Sequence, residues 1–238
     1  MIFFTDINTD ISKYCLLNIK SYKNKKKLNK KICYIDPSVM ELRNSSEFSN
    51  IEFMRDLIEK EQLLENEYIS IDYPCDMNKD LTKLFIRKSR ENNFRYASNL
   101  KYICTIQFQF NNFKSFKNQT EKLRSVWELP GKIIGIGNMC RIMTPTSFTN
   151  NVFRYIRNNM KGHQIHFYGL ALRVIKSSHF KSLLNFGFNI SVDSTKWTRA
   201  VTREFKKDHG VACRKDTRNL YFLEYMKELR KAGIKVEY

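Results

Sequence analysis

The 238-residue chain predicts an α/β fold, specifically a compact (β/α)8 TIM-type barrel forming one domain over residues 1–238. Three observations predict it. Short apolar runs alternate with longer segments of helical period. Successive strands recur about every thirty residues, the interval of βαβ units, which argues for a parallel sheet with covering helices. Several strands end in Asp, Gln or Gly, as the strands of a parallel barrel do on the face where sites are built. An open doubly wound sheet is the alternative architecture.

The elements follow in order. Residues 2–4 form a first strand, and 23–31 a basic surface segment. The strand at 32–35 ends at Asp36. Ile51, Met54, Leu57, Ile58 and Leu64 fall near one face of a helix over 51–64. The strand at 68–71 ends at Asp72 and meets Tyr73-Pro74, and a helix follows over 81–94. Residues 102–108 are rich in β-formers and contain Gln107. A helix over 116–127 stops before Pro130-Gly131, and the strand at 132–136 runs into Gly137-Asn138. Thr146 caps a helix through Met160, with Gly162 as its stop. The strand at 164–168 precedes Gly169, and 170–186 is helical. The strand at 189–192 ends at Asp193, and a final helix over 217–231 is closed by Gly233. These strands number seven, and an eighth is assigned to residues 210–213.

Composition excludes several classes. With 42% hydrophobic and 28% charged residues the chain can bury a core, and 8 Gly with 4 Pro exclude collagen and low-complexity disorder. No apolar stretch is long enough for a membrane span, and the N-terminus lacks the charged and apolar regions of a signal peptide. The six cysteines form no CxxC pair, which argues against a disulfide scaffold, a zinc knuckle or an iron–sulfur motif. A reducing, cytoplasmic setting is expected, with no membrane partner.

The net charge of +18 favours a polyanionic partner, above all nucleic acid. Lys, Asn, Ile and Phe are abundant, as an AT-rich genome produces, but the excess is uneven. Residues 1–119 carry net +5 and residues 120–238 net +13. Three strand-end carboxylates converge on one pocket in a barrel. One carboxylate can act as a nucleophile, a second as a general acid/base, and a third with an amide can read a purine edge. Composition and periodicity do not choose this chemistry over others. Acids at strand ends are also turn formers and helix caps. His166 lies within a strand and either faces the pocket or packs between layers. The segment 135–140 lacks the Lys and the spacing of a P-loop.

At these residues the chain resembles the tRNA-guanine transglycosylase superfamily, and within it the small DNA-guanine transglycosylases of phages and bacteria. Ile-Cys-Tyr-Ile-Asp at 32–36 stands at the family's first Asp strand, and Tyr-Ile-Ser-Ile-Asp-Tyr-Pro at 68–74 looks like its second. Thr-Ile-Gln-Phe at 105–108 supplies the Gln, and Gly-Ile-Gly-Asn-Met-Cys at 135–140 looks like the glycine turn. His-Phe-Tyr-Gly-Leu at 166–170 followed by Ser-Val-Asp-Ser-Thr-Lys-Trp at 191–197 is the most specific pair. The ordered match spans about residues 32–200.

The resemblance implies a TIM barrel that exchanges guanine in DNA for a 7-deazaguanine base, the co-substrate, with no other cofactor. It implies Asp193 as nucleophile and Asp36 as general acid/base. Asp72 would read the purine N1–H and 2-amino group, and Gln107 the O6. Gly135 and Gly137 would let backbone amides approach the base, with His166 and Gly169 beside it. Lys196, Arg199 and Arg203 would hold flanking phosphates. Asp36 is followed by Pro37-Ser38 rather than the family's Ser-Gly. Only His209 and Cys213 stand where the tRNA enzymes carry three Cys and a His, so no metal is expected. Two rival readings are a tRNA-guanine transglycosylase of the same mechanism and a non-catalytic basic domain that binds nucleic acid.

Overall fold

The computed structural model describes residues 1–5, 12–19, 22, 30–37, 48–73, 79–140, 142–193 and 218–238. The architecture is α/β, with eight parallel strands in two sheets. The strands are β1 (Ile2–Phe4), β2 (Tyr14–Asn18), β3 (Ile32–Asp36), β4 (Glu67–Ile69), β5 (Cys104–Ile106), β6 (Ile133–Ile136), β7 (Gln164–Phe167) and β8 (Asn189–Asp193). One sheet has the order β1-β8-β7-β6-β5 and the other β2-β3-β4. The helices are α1 (Phe48–Glu59), α2 (Lys79–Arg95), α3 (Phe113–Lys122), α4 (Arg124–Trp127), α5 (Ser147–Asn159), α6 (Leu172–Ile175), α7 (Ser178–Asn185) and α8 (Arg218–Lys231).

The sheets meet at two places. Thr5 and Cys15 form a parallel bridge, in which Leu16 N–H donates to Thr5 O at 2.7 Å. Ile69 and Tyr102 form another, with Ile69 N–H donating to Lys101 O and Ile103 N–H to Ile69 O, both at 2.8 Å. Near the start of β1 the C-terminal tail takes the free edge. Phe3 N–H donates to Glu237 O at 2.9 Å, and the Glu237 carboxylate accepts from the Tyr14 hydroxyl and lies 3.2 Å from Lys31 Nζ. Glu237 thus ties β1 to β2 and to the residue before β3.

The pleat sorts the side chains. Cys104, Ile106, Ile134, Ile136, Ile165, Phe167, Ile190 and Val192 pack with the helices of the larger sheet in one hydrophobic cluster. Cys15, Leu17, Cys33, Ile35 and Ile69 pack with α1 and its neighbours in a second. The alternate positions build a third cluster of residues in or next to the strands: Phe4, Tyr14, Tyr34, Ile103 and Ile133. That cluster draws on both sheets. Its centre is the Phe4–Tyr34 ring stack, 4.2 Å between centroids, with His166 edge-on to both rings at 5.3 and 4.9 Å.

The structure differs from the sequence expectation in three elements. The strand absent from that expectation is β2, and residues 210–213 lie outside the described residues. The run Tyr-Cys-Leu-Leu at 14–17 is buried or nearly so on both faces, so it shows no alternation to read. The helix expected over 116–127 divides at Leu123, where Trp127 Nε1 turns back to donate to Thr120 O at 2.8 Å. The helix expected over 170–186 divides where Ser177 caps α7 by accepting from Phe180 N–H. The expected Thr146 cap is present as a full capping box with Thr149.

Lys132, at the entry to β6, is 2% exposed and donates to the carbonyls of Asn99 and Tyr96 beyond the end of α2. Burial lowers its pKa from 10.5 to about 8. The unfolded chain therefore holds this proton to a higher pH than the folded one, and stability gains from Lys132 as pH rises from 8 to 10.5. Denaturant melts across that range should show the parent gaining on a Lys132→Met variant. A stability difference that does not change with pH would contradict the assignment.

Candidate functional site

The residues of interest cluster where the strands end. Asp36 and Asp193 are the last residues of β3 and β8, and Gln107, Gly137 and Tyr168 each lie one residue past a strand. Asp72 follows β4 by three residues. All share the phase of the third cluster rather than that of the helix-packed residues, because each lies an even number of positions from Tyr34, Tyr68, Ile103, Ile133, His166 or Ser191. The aromatic cluster is thus the floor of a polar layer.

Asp72 and Gln107 are both buried and bonded to each other, the Gln107 amide Nε2 donating to Asp72 Oδ2. That bond joins the residues following β4 and β5, on either side of a sheet boundary. Ser70 Oγ donates to Asp72 Oδ1 at 2.6 Å. Burial pushes the Asp72 carboxyl above the usual carboxylate range, and these two hydrogen bonds partly offset it. Beside it, burial and the charge of Asp72 hold the Tyr168 phenol well above its ordinary value, and the charge of Asp36 reaches the same hydroxyl.

Asp193 is held differently. Its Oδ1 accepts from Gly169 N–H at 2.9 Å, and its backbone carbonyl accepts from Leu170 N–H at 3.0 Å. His166 Nε2 stands 3.3 Å from the same Oδ1, while Nδ1 shares a hydrogen bond with Ser191 Oγ at 2.9 Å. The His166 ring is fully buried and edge-on to Tyr168, 4.5 Å between centroids. Of the two placements open to it, His166 takes both: it packs in the aromatic floor and faces Asp193.

Gly135 and Gly137 make room for neighbouring side chains. A Cβ on Gly137 would stand 2.5 Å from Gln107 Nε2, and Gly137 N–H already donates to Ile106 O at 3.1 Å. A Cβ on Gly135 would stand 2.7 Å from both Thr105 Oγ1 and the Tyr168 ring. Gly137 makes room for Gln107, and Gly135 for Tyr168. Gly169 has φ +70°, and a Cβ there would stand 2.4 Å from Cys140 Cβ, so only glycine presents this amide to Asp193.

Four buried polar atoms in this layer make no aligned hydrogen bond: Thr105 Oγ1, Gln107 Oε1, His166 Nε2 and Tyr168 Oη. They are four of nine such side-chain atoms among the described residues, although they come from one end of just two strands, β5 and β7, which flank β6. Buried polar atoms are normally paired, so their concentration here points to a polar ligand.

Sequence reasoning missed Ser70, Thr105, Tyr168 and Ser191. A signal for three of them exists: Ser70, Thr105 and Ser191 each stand two positions before a selected residue, Asp72, Gln107 and Asp193. Lys196, Arg199 and Arg203, like His209 and Cys213, lie outside the described residues. No group of three or more metal-ligating side chains occurs among the described residues. No helix among them is long and apolar enough to cross a membrane. No family model matches the chain, and no curated protein and no solved structure matches it.

Because burial raises the Asp72 pKa, the folded state keeps its proton to higher pH than the unfolded state does. The associated stability is full below 3.8 and is lost as pH rises through the folded value. Asp72→Asn should therefore be at least as stable as the parent at pH 7, the two converging toward pH 3.8 in urea melts. A variant weaker by more than about 1 kcal/mol at pH 7 would refute this balance.

Proposed function

We propose that the chain is a (β/α)8-barrel DNA-guanine transglycosylase, exchanging guanine for a 7-deazaguanine base through a covalent Asp193 intermediate. Two features support one closed barrel. The Thr5–Cys15 and Ile69–Tyr102 bridges lie at the two boundaries between the sheets. The third hydrophobic cluster, made of residues in or next to the strands of both sheets, has the composition of a barrel interior.

The observation that carries the chemistry is the strand-end layer that combines Asp193, the Asp72–Gln107 pair and a cluster of buried polar side chains. Guanine presents two N–H donors beside a carbonyl acceptor. A carboxylate next to an amide N–H matches that edge, with Asp72 accepting from N1–H and the 2-amino group and Gln107 donating to O6. Thr105 and Tyr168 hydroxyls supply further polar contacts at the same level.

In the reaction, Asp193 attacks C1′ of the deoxyribose with Oδ2, because Oδ1 is engaged by Gly169 and faced by His166. The C1′–N9 bond breaks, its electron pair passes to guanine N9, and the Asp36 carboxyl protonates the departing base. The incoming base gives its N9 proton to the Asp36 carboxylate, its N9 bonds to C1′, and the C1′–Oδ2 bond breaks. Asp193 and Asp36 end as they began, and no redox step occurs. A target guanine within a duplex must be unstacked to reach Asp193. The net charge of +18 supports a polynucleotide substrate, and a cytoplasmic setting follows from such a substrate.

The test is covalent trapping. Protein incubated with guanine-containing DNA and a 7-deazaguanine base, then denatured, should yield a DNA–protein adduct by gel and mass. Asp193→Asn should fold, form no adduct and lose base exchange by on the order of a thousandfold or more. Exchange that persists in Asp193→Asn would eliminate this nucleophile. An adduct with tRNA alone would move the substrate to RNA, and DNA binding without exchange under any condition would favour the binding-domain reading.

A further inference from the structure

Helices α2 and α3 follow β4 and β5, so their N-terminal portions lie at the same end of the sheets as Asp72 and Gln107. Between them runs an open groove of about 940 Å³. Five cations line it: Lys83, Arg87 and Arg90 from α2, and Lys114 and Lys117 from α3. The lining holds a single carboxylate, Glu121. Glu121 is already engaged by the Tyr155 hydroxyl and by Arg124 at 2.9 Å, which together hold it below the usual carboxylate range. Arg87 stands 3.6 Å from Glu91 in an exposed pair, which solvent weakens. Arg90 donates to Gln119 Oε1 at 3.2 Å, which fixes its guanidinium at the groove wall.

Apart from Ile86, the rest of the lining is polar rather than acidic, with Gln109, Asn112, Ser115 and Asn118 among the cations. Cations and amides suit phosphates and base edges respectively. A second surface pocket, beside α1, provides a contrast. It combines Arg55, Lys88 and Arg95 with Glu52 and Glu91, a near-balanced lining that would not select a polyanion.

We propose that the α2–α3 groove binds the backbone of a single-stranded polynucleotide and guides it toward the strand-end carboxylates. The assignment rests on the polynucleotide-substrate reading given above, but its test needs no catalysis. The probe is a fluorescent oligo-dT, which contains no guanine, with oligo-U as the RNA arm. Binding is followed by anisotropy as salt is varied.

Lys83→Gln/Arg87→Gln/Lys114→Gln should reduce the magnitude of the log K against log salt slope by about two, three cations at about 0.7 each on a single strand. A control removing three cations elsewhere, Lys60→Gln/Lys227→Gln/Lys231→Gln, should leave the slope near that of the parent. Circular dichroism confirms that each variant is folded.

Equal losses in the groove and control variants would overturn the proposal, as would a parent that binds neither oligo-dT nor oligo-U. A groove effect on oligo-dT supports DNA as the strand, and one on oligo-U alone assigns the groove to RNA. The Asp193→Asn protein should bind oligo-dT like the parent, so failure of base exchange and failure of the groove are separate outcomes.

Discussion

The stack of Phe4 on Tyr34 is the contact on which the rest of the molecule depends. Phe4 belongs to the five-stranded sheet and Tyr34 to the three-stranded one. Their rings, with His166 set edge-on against both, pack between the sheets. A dry aromatic layer excludes water from what lies above it. Every polar group in the next layer is therefore partly desolvated, and its energetics follow from that constraint. Asp72 and Tyr168 move toward their neutral forms because of this burial. An unpaired atom such as Gln107 Oε1 is costly for the same reason. A floor that merely filled volume would be crowned by apolar residues, whereas this one carries three carboxylates, an amide and several hydroxyls.

Space in the polar layer is rationed by glycine. Gly135 and Gly137 alternate along β6 on the face that would otherwise crowd Tyr168 and Gln107. Residues with side chains at both positions would expel the two groups that flank Asp72. Gly169 works differently, since its positive φ and its contact with Cys140 each exclude a Cβ. Its amide then points at Asp193 Oδ1, and the same turn brings Leu170 N–H to the Asp193 carbonyl. Three glycines thereby set the positions of an amide, a phenol and a carboxylate without contributing a side chain.

Much of this was legible in the sequence, and the gaps have physical causes. Strands ending in Asp36 and Asp193 announced themselves, because apolar runs stop where the chain meets a polar layer, while the strand expected to run to Asp72 stops three residues earlier, at Ile69. The strand β2 did not, because Tyr14, Cys15 and Leu17 are buried on opposite faces and Asn18 marks no turn. Helix divisions at Leu123 and Ser177 were also hidden, since both lie within unbroken helical periodicity and depend on a Trp127 bond and a serine cap. At the site, single strand-end residues stood out but the layer did not. Ser70, Thr105 and Ser191 become informative only when each is counted two positions before a selected residue, which requires knowing the strand phase first. The tasks of the glycines were not legible at all, since they depend on neighbouring strands meeting in a particular register.

Charge shows the same limit of linear reading. Halving the chain assigns net +5 to residues 1–119, which directs attention to the other half. A different division is more informative: residues 1–78 carry net −2 and residues 79–122 net +7. The acids of the first segment had masked the cations of the second. In space they do not, because Asp56 pairs with Lys60 and Glu59 with Arg95, away from the groove lining between α2 and α3. A phosphate responds to charges within about a Debye length, roughly 8 Å at physiological salt, and not to a sum over sequence. What matters for a polyanion is therefore the local ratio, five cations to one already engaged carboxylate, placed at the end of the sheets where Asp72 and Gln107 lie. That placement gives the basic surface a direction: a strand held by α2 and α3 is already at the rim of the layer where the three carboxylates stand.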